Sequence, residues 1–215
     1  MRLLVAPLVA LGVLASAAAA KAQPQDGNHW DGGYDKKAER RSDFLLGTSL
    51  GFGVGNGIGY PNVVGQIDNP AYEVDTGVGI GGGGTVWLGG ALRDWFSFMI
   101  GFHTTRLSHD DLKLSASGAV FRIEAFPFFT GGGSLRDLGF AANFGLGTAS
   151  IDEGSSERSD GGALSIVGLG IFHETWRFGG LNLGPSLEYD HYFSQTLSAN
   201  AAVVGLRLAF YSGPS

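Results

Sequence analysis

The chain has 215 residues, of which 37 are glycine and none is cysteine. That glycine content is far above the ~7% of average proteins and too high for a helical domain, and no G-X-Y period supports collagen. The formal net charge of −6 at pH 7 argues against a nucleic-acid partner, which needs a basic face.

The N-terminus has the order of a secretory signal peptide. Arg2 precedes an apolar run over 3–14 and small residues over 15–22. The run is shorter than the ~20 residues of a membrane-spanning helix, which disfavours an uncleaved anchor. We predict a signal peptide over 1–22. Its removal takes away Arg2 and Lys21 and leaves 12 basic and 20 acidic residues.

After the signal peptide, the chain changes from a polar leader to a long β pattern. Residues 23–42 are polar and aperiodic, and we predict a flexible periplasmic leader. From residue 43, apolar residues recur at every second position, as in strands with two different faces. The runs have about the ~9–11 residues of a tilted transmembrane strand. The pattern predicts about eight strands, at 43–54, 73–90, 95–106, 113–126, 138–150, 163–173, 181–193 and 199–211.

The two faces of these strands differ in a way that indicates a membrane. One face is apolar, and the other carries most of the strand glycines and charges. A soluble barrel would have its charges outside, so we place the apolar face toward lipid and the polar face in the lumen. Closure is required, because an open edge in hydrocarbon leaves backbone groups unpaired. The predicted fold is all-β, a closed antiparallel up-and-down transmembrane barrel over 43–211, with 212–215 as a tail.

The last strand carries a resemblance to a known group of proteins. Its alternating Ala202, Val204, Leu206, Leu208 and Phe210 resemble the terminal signal of the small outer-membrane β-barrel superfamily, the group of the OmpA transmembrane domain and OmpX. The resemblance covers about 43–211. It implies a bacterial outer-membrane location, contact with outer-membrane lipid and lipopolysaccharide, and recognition by the barrel-assembly machinery. We expect a monomer that binds no cofactor, metal or nucleic acid.

Three sets of residues are candidates for a structural or functional role. We predict a lumen ion-pair network, in which Arg207 pairs with Glu188 and Arg122 with Glu124 or an acid across the lumen. We favour a structural role for it over a gate. Its members are Arg122, Glu124, Glu188, Asp190, Arg207 and Asp75.

Glycines are expected to line a water-filled or ligand-accessible cavity, unless Trp87 or Phe172 fills it. They are Gly47, Gly51, Gly53, Gly77, Gly79, Gly81, Gly145 and Gly147. Aromatic residues near strand ends predict interfacial girdles. They are Tyr72, Trp95, Phe126, Phe128, Trp176, Phe178, Phe193 and Tyr211.

The sequence leaves three functions open. The leading hypothesis is a structural or surface-interaction protein that displays extracellular loops and performs no covalent chemistry. The alternative is a narrow porin-like passive channel for ions or small solutes. The weakest is a lipid A deacylase-like enzyme using His191 and Ser194. Their spacing of three places them on opposite faces of a regular strand, which argues against this enzyme.

Overall fold

Eight long antiparallel strands close on themselves in the computed structural model, which describes residues 40–131 and 133–213. The predicted signal peptide, and the predicted leader before Arg40, lie outside the described residues. Two short 3-10 helices, Pro70–Tyr72 and Ser134–Asp137, are the helical elements of the described ranges. No helix there is long and apolar enough to cross a membrane. In chain order the strands are β1 (Asp43–Gly59), β2 (Val74–Asp75), β3 (Gly79–Arg93), β4 (Phe96–His109), β5 (Leu112–Ala125), β6 (Leu138–Glu153), β7 (Ser156–Asp160), β8 (Leu164–His173), β9 (Trp176–Phe178), β10 (Leu181–Phe193) and β11 (Leu197–Tyr211).

Pairing of the first and last strands closes the barrel and confirms the predicted fold class. β1 pairs with β3 on one side and with β11 on the other, and β10 pairs with β11. Register pairs followed once around the barrel lead from Leu183 to Phe193, ten residues further along the same strand. Such a stagger requires the strands to tilt against the barrel axis.

The second predicted strand is wrong in its first part. The alternation over 73–90 continues through Val74 and Asp75, but these two residues form the separate strand β2, which pairs with the C-terminal end of β1. With an even number of barrel strands and an exported N-terminus, we expect this end of the barrel to be extracellular and the opposite end to be periplasmic, and we name the two ends accordingly. Gly77 has a φ of +62° and lies between β2 and β3, so the chain turns there before the barrel strand begins. The predicted strand therefore combined a loop element with a barrel strand.

The outer wall is apolar around the whole barrel. Large side chains such as Phe52, which is 83% exposed, project outward from β1, and similar residues project from the other long strands. An aqueous surface rarely exposes so large a continuous apolar area. Hydrocarbon is the solvent that fits this wall, so the barrel spans a membrane.

The girdle residues divide into two groups. Six of the predicted eight are exposed or lie at strand ends: Tyr72, Trp95, Phe128, Trp176, Phe178 and Phe193. The other two, Phe126 and Tyr211, are buried, so their girdle assignment is wrong. Tyr211 has the inward parity of β11, and Phe126, directly after β5, continues the inward parity of that strand.

Candidate functional site

The centre of the lumen holds a network of paired charges. Arg122 of β5 donates to Glu124 at 2.9 Å and, through two nitrogens, to both carboxylate oxygens of Glu188 at 3.2 Å. Arg207 of β11 donates to the second oxygen of Glu124 at 2.7 Å. Glu124 thus bridges two arginines, and all four side chains are buried. We call these four residues the mid-lumen network.

Aromatic rings fill the space beside this network. The Arg122 guanidinium lies 4.4 Å from the Trp87 ring centroid, and that of Arg207 lies 4.1 Å from the Phe172 centroid. Gly47 makes room for the indole, because a Cβ there would be 2.6 Å from Trp87 atoms. A Cβ at Gly139 would collide with the Phe172 ring. These glycines allow close packing rather than lining open space.

The periplasmic end of the barrel is closed by a second group of charges, which reaches into the predicted leader. Arg41 is completely buried, lies 3.5 Å from the Phe126 ring centroid, and donates to Asp137 and Glu174 at 2.9 Å. Arg40 forms an ion pair with Asp137 at 2.9 Å. The described end of the leader is therefore docked in the barrel mouth. We call this group the periplasmic seal; its members are Arg40, Arg41, Asp94, Arg136, Asp137, Glu174 and Arg177.

Glu174 joins the periplasmic seal to the mid-lumen network. It lies between β8 and β9 and accepts from Arg207 at 3.0 Å and from the Tyr211 hydroxyl at 2.7 Å. Burial acts to raise the pKa of Glu174, but the charges of Arg41, Arg207 and Arg177 outweigh it and lower that pKa to about 2. The carboxylate therefore stays ionised at neutral pH.

A neutral polar cluster lies on the extracellular side of the charges. His103 Nδ1 contacts the Thr85 hydroxyl at 2.8 Å, while its Nε2 contacts Thr105 at 3.1 Å and the Tyr192 hydroxyl. Asp190 lies 3.7 Å from His103 Nε2 and forms no arginine pair among the described residues. Both of its carboxylate oxygens border this cluster without a hydrogen bond from the described residues.

An apolar cluster closes the extracellular end. It fills the lumen between the polar cluster and the loops. Its larger members are Leu107, Leu114, Ile151, Leu164, Ile166 and Leu197. The cavity found in the lumen between Ser49, Thr85, His103 and Glu188 is small, about 10 Å³, with room for one water molecule. The predicted water-filled cavity along the glycine wall is therefore wrong. Trp87 and Phe172 are buried in the lumen instead, and Trp87 packs directly against Gly47 of that wall.

Asp190 was predicted to belong to the ion-pair network but pairs with no arginine in the described barrel, so that assignment is wrong. Three other predicted site residues take other positions or partners. Asp75 lies on β2 at the extracellular side, where it accepts from the Gly77 backbone N–H at 2.8 Å. It is outside the lumen, and so is Gly77, which lies beside His109. Arg207 pairs with Glu124 and Glu174 instead of Glu188. The remaining glycines lie on barrel strands, most of them tight against neighbouring atoms; they are Gly51, Gly53, Gly79, Gly81, Gly145 and Gly147.

Sequence reasoning missed the periplasmic seal and the His103 cluster. Most seal residues lie in turns, where face parity is undefined. Glu174 did carry a signal, because it continues the inward parity of Phe172 beyond the end of β8. His103 and Tyr192 also share the inward parity of their strands, but neither is charged at neutral pH in its ordinary state, so neither stands out in the sequence as the charged residues and the glycines do.

A closed eight-stranded barrel with an apolar wall and a polar, filled lumen defines a small integral protein of the bacterial outer membrane. No protein-family model and no curated protein matches the chain. Several solved structures are similar, including the following three. Neisserial surface protein A is 14% identical, with 78% of this chain and 96% of that chain covered and a TM-score of 0.47. The Ail attachment invasion locus protein of Yersinia pestis is 9% identical, with 77% and 99% covered and a TM-score of 0.48. Outer membrane protein OprG from Pseudomonas aeruginosa is 8% identical, with 80% and 98% covered and a TM-score of 0.38. These likenesses are distant, and the assignment rests on the barrel wall itself.

Proposed function

We propose that the protein is a closed structural barrel of the outer membrane that presents its extracellular loops as a binding surface. The observation that carries this proposal is the filling of the lumen at successive levels. The periplasmic seal, the mid-lumen network and the apolar cluster each occupy the cross-section with buried side chains. Side chains that fill the lumen in this way stabilise the barrel. The extracellular loops then remain as the surface that can bind a partner.

The longest extracellular connection supports the binding role. It runs over 60–78 and is held by a hydrogen bond of 2.6 Å from the Tyr60 hydroxyl to Glu73. Within it, Val63 is 51% and Val64 98% exposed. A loop that is tied by Tyr60 to Glu73 and exposes two adjacent valines suits contact with an apolar patch on a partner surface.

Single-channel recording in a planar bilayer tests the closed lumen against the channel alternative. The refolded protein should give no channel openings in a membrane where an added porin conducts normally. The shift in gel mobility between unheated and boiled samples establishes that the inserted protein is folded. Reproducible small openings by the folded wild type would contradict the proposal and favour passive transport.

We also propose that the protein performs no lipid hydrolysis. The Ser194 hydroxyl accepts from the Thr196 and Leu197 backbone N–H groups at 3.2 and 3.1 Å, so this serine holds the β10–β11 turn. His191 is bound to Asn200 at 2.9 Å. A serine engaged in a turn and lacking a histidine contact is not set up as a nucleophile. Deacylation of lipid A by wild type that is lost in His191→Ala would contradict this part.

A further inference from the structure

Polar side chains form a hydrogen-bonded group on the lipid-facing wall. The Tyr189 hydroxyl donates to Asn200 Oδ1 at 2.6 Å, and His191 Nδ1 contacts the same oxygen at 2.9 Å. Asn200 lies in register with His191 on one side and with Asn56 on the other. We call Tyr189, His191, Asn200 and Asn56 the outer-wall cluster. Its residues have the outward parity of β1, β10 and β11.

The hydrogen bonds determine what His191 offers to a ligand. An amide oxygen only accepts, so the contact with Asn200 requires the proton on Nδ1 and leaves Nε2 of the neutral ring with a lone pair. The ring is stacked on Phe193 with centroids 5.3 Å apart, which holds its orientation. Nε2 has no hydrogen-bond partner among the described residues. The outer-wall cluster therefore presents a positioned acceptor.

The position of the outer-wall cluster along the barrel axis determines which part of the bilayer it contacts. His191 lies two residues before the extracellular end of β10, and Leu187 and Leu183 precede it on the same face. A tilted strand rises only a few ångströms over two residues. His191 is therefore at the boundary between hydrocarbon and headgroups of the outer leaflet, where a polar side chain on an apolar wall is a candidate binding group.

The charges near the cluster argue against a phosphate ligand. The outward faces of β1, β10 and β11 carry no lysine or arginine. Phosphate recognition in proteins relies on such cations. A lone acceptor without a nearby cation instead fits a neutral donor, and hydroxyl groups are the commonest neutral donors of a lipid headgroup. We propose that the outer-wall cluster binds the sugar headgroup of an outer-leaflet glycolipid, with a hydroxyl donating to His191 Nε2.

Native mass spectrometry of the full folded chain in detergent tests this site. The probes are glucosyl diacylglycerol, which carries hydroxyl donors and no phosphate, and phosphatidylcholine with the same acyl chains, which carries no hydrogen-bond donor. Wild type should bind the glycolipid about fivefold more tightly, as expected for one hydrogen bond of about 1 kcal/mol. His191→Phe should abolish the preference by lowering glycolipid affinity alone. His109→Phe, which changes an exposed histidine in the barrel rim, should retain the preference.

Asn200→Ala provides a second variant, because it removes the acceptor that fixes the His191 tautomer and should also reduce the preference. Gel mobility of unheated samples confirms that each variant is folded. Equal affinity of wild type for the two lipids, or a preference that survives in folded His191→Phe, would overturn the proposal. A preference for phosphatidylglycerol over the glycolipid, or a protein dimer in place of bound lipid, would also overturn it. The site depends on the membrane placement of the barrel and not on loop binding, so it stands or fails separately from the proposed function.

Discussion

Glu124 accepts hydrogen bonds from two buried arginines, at 2.9 Å from Arg122 and 2.7 Å from Arg207. Glu124→Gln removes the negative charge that both guanidiniums share, so that in a low-dielectric interior Arg122 keeps only Glu188 and Arg207 keeps only Glu174 as a carboxylate partner. Loss of one partner from a buried ion pair costs about 3–5 kcal/mol. We expect the variant to lower the free energy of unfolding by about that amount, measured by urea titration in lipid vesicles.

The matched control for this substitution is Glu153→Gln. Glu153 pairs with Arg158 at 3.4 Å, but both side chains are about half exposed. Surface pairs contribute only about 0–1 kcal/mol, so the control should unfold almost as wild type does. A Glu124→Gln barrel as stable as the control would mean that the mid-lumen network is not a structural element.

Glu174 should make the stability of the barrel depend on pH in the acid range. Because its pKa falls to about 2 in the folded barrel from an ordinary 4.5, its charge stabilises the fold above pH 4.5. This stabilisation is lost as the pH falls through about 2, and it is on the order of 3 kcal/mol. We expect the urea midpoint of wild type to fall between pH 5 and pH 2, and that of Glu174→Gln to change less. An equally steep fall in the variant would assign the acid sensitivity to other carboxyl groups.

At the level of elements, the alternating pattern was sufficient to locate the strands and their faces. Parity works because a strand places every second side chain on one side, whatever its neighbours are. Alternation does not predict the structure where the backbone turns while the apolar and polar order of the residues continues. Gly77 turns the chain at a φ of +62°, yet the residues on both sides of it continue the apolar and polar order. Sequence could not reveal this, because glycine is equally at home in a strand of this barrel and in a turn.

The same reasoning explains why the periplasmic seal was not predicted. Arg41 precedes the first strand, and its partners Asp94 and Asp137 lie in connections far along the chain. Closure of the barrel brings these turns to one mouth. Turn residues have no fixed face, so their contacts follow from three-dimensional closure rather than from local pattern.

The tight connection between β9 and β10 depends on a glycine. Gly179 has a φ of +61°, and no atom lies within 4 Å of a Cβ placed there, so a side chain would meet backbone strain alone. We expect Gly179→Ala to lower the free energy of unfolding by about 1 kcal/mol. The control is Gly90→Ala on the outward face of β3, where the nearest atom is 3.4 Å away. Equal stability of the two variants would show that the turn tolerates an ordinary residue.

For the whole molecule, the charges of the lumen favour closure over transport. The seal and the mid-lumen network together contain six arginines and five carboxylate residues, and each of these arginines is paired with at least one of the carboxylates. A selective pore usually keeps unpaired charge or polar groups along an open path. Here the arginines are shared among carboxylates, and the extracellular end of the lumen is apolar. These features argue that the interior stabilises the barrel.

The orientation of the barrel can be measured because the chain has no cysteine. Val64→Cys places one thiol at a 98% exposed position in the 60–78 connection, and Ser134→Cys places one in the opposite, exposed β5–β6 connection. With an even number of barrel strands and an exported N-terminus, the first site should be extracellular and the second periplasmic. A membrane-impermeant maleimide should label intact cells expressing Val64→Cys, whereas Ser134→Cys should be labelled only after the outer membrane is permeabilised. The reverse labelling pattern would show that the barrel is inserted the other way round. The 60–78 connection and the outer-wall cluster would then both lie on the periplasmic side of the membrane.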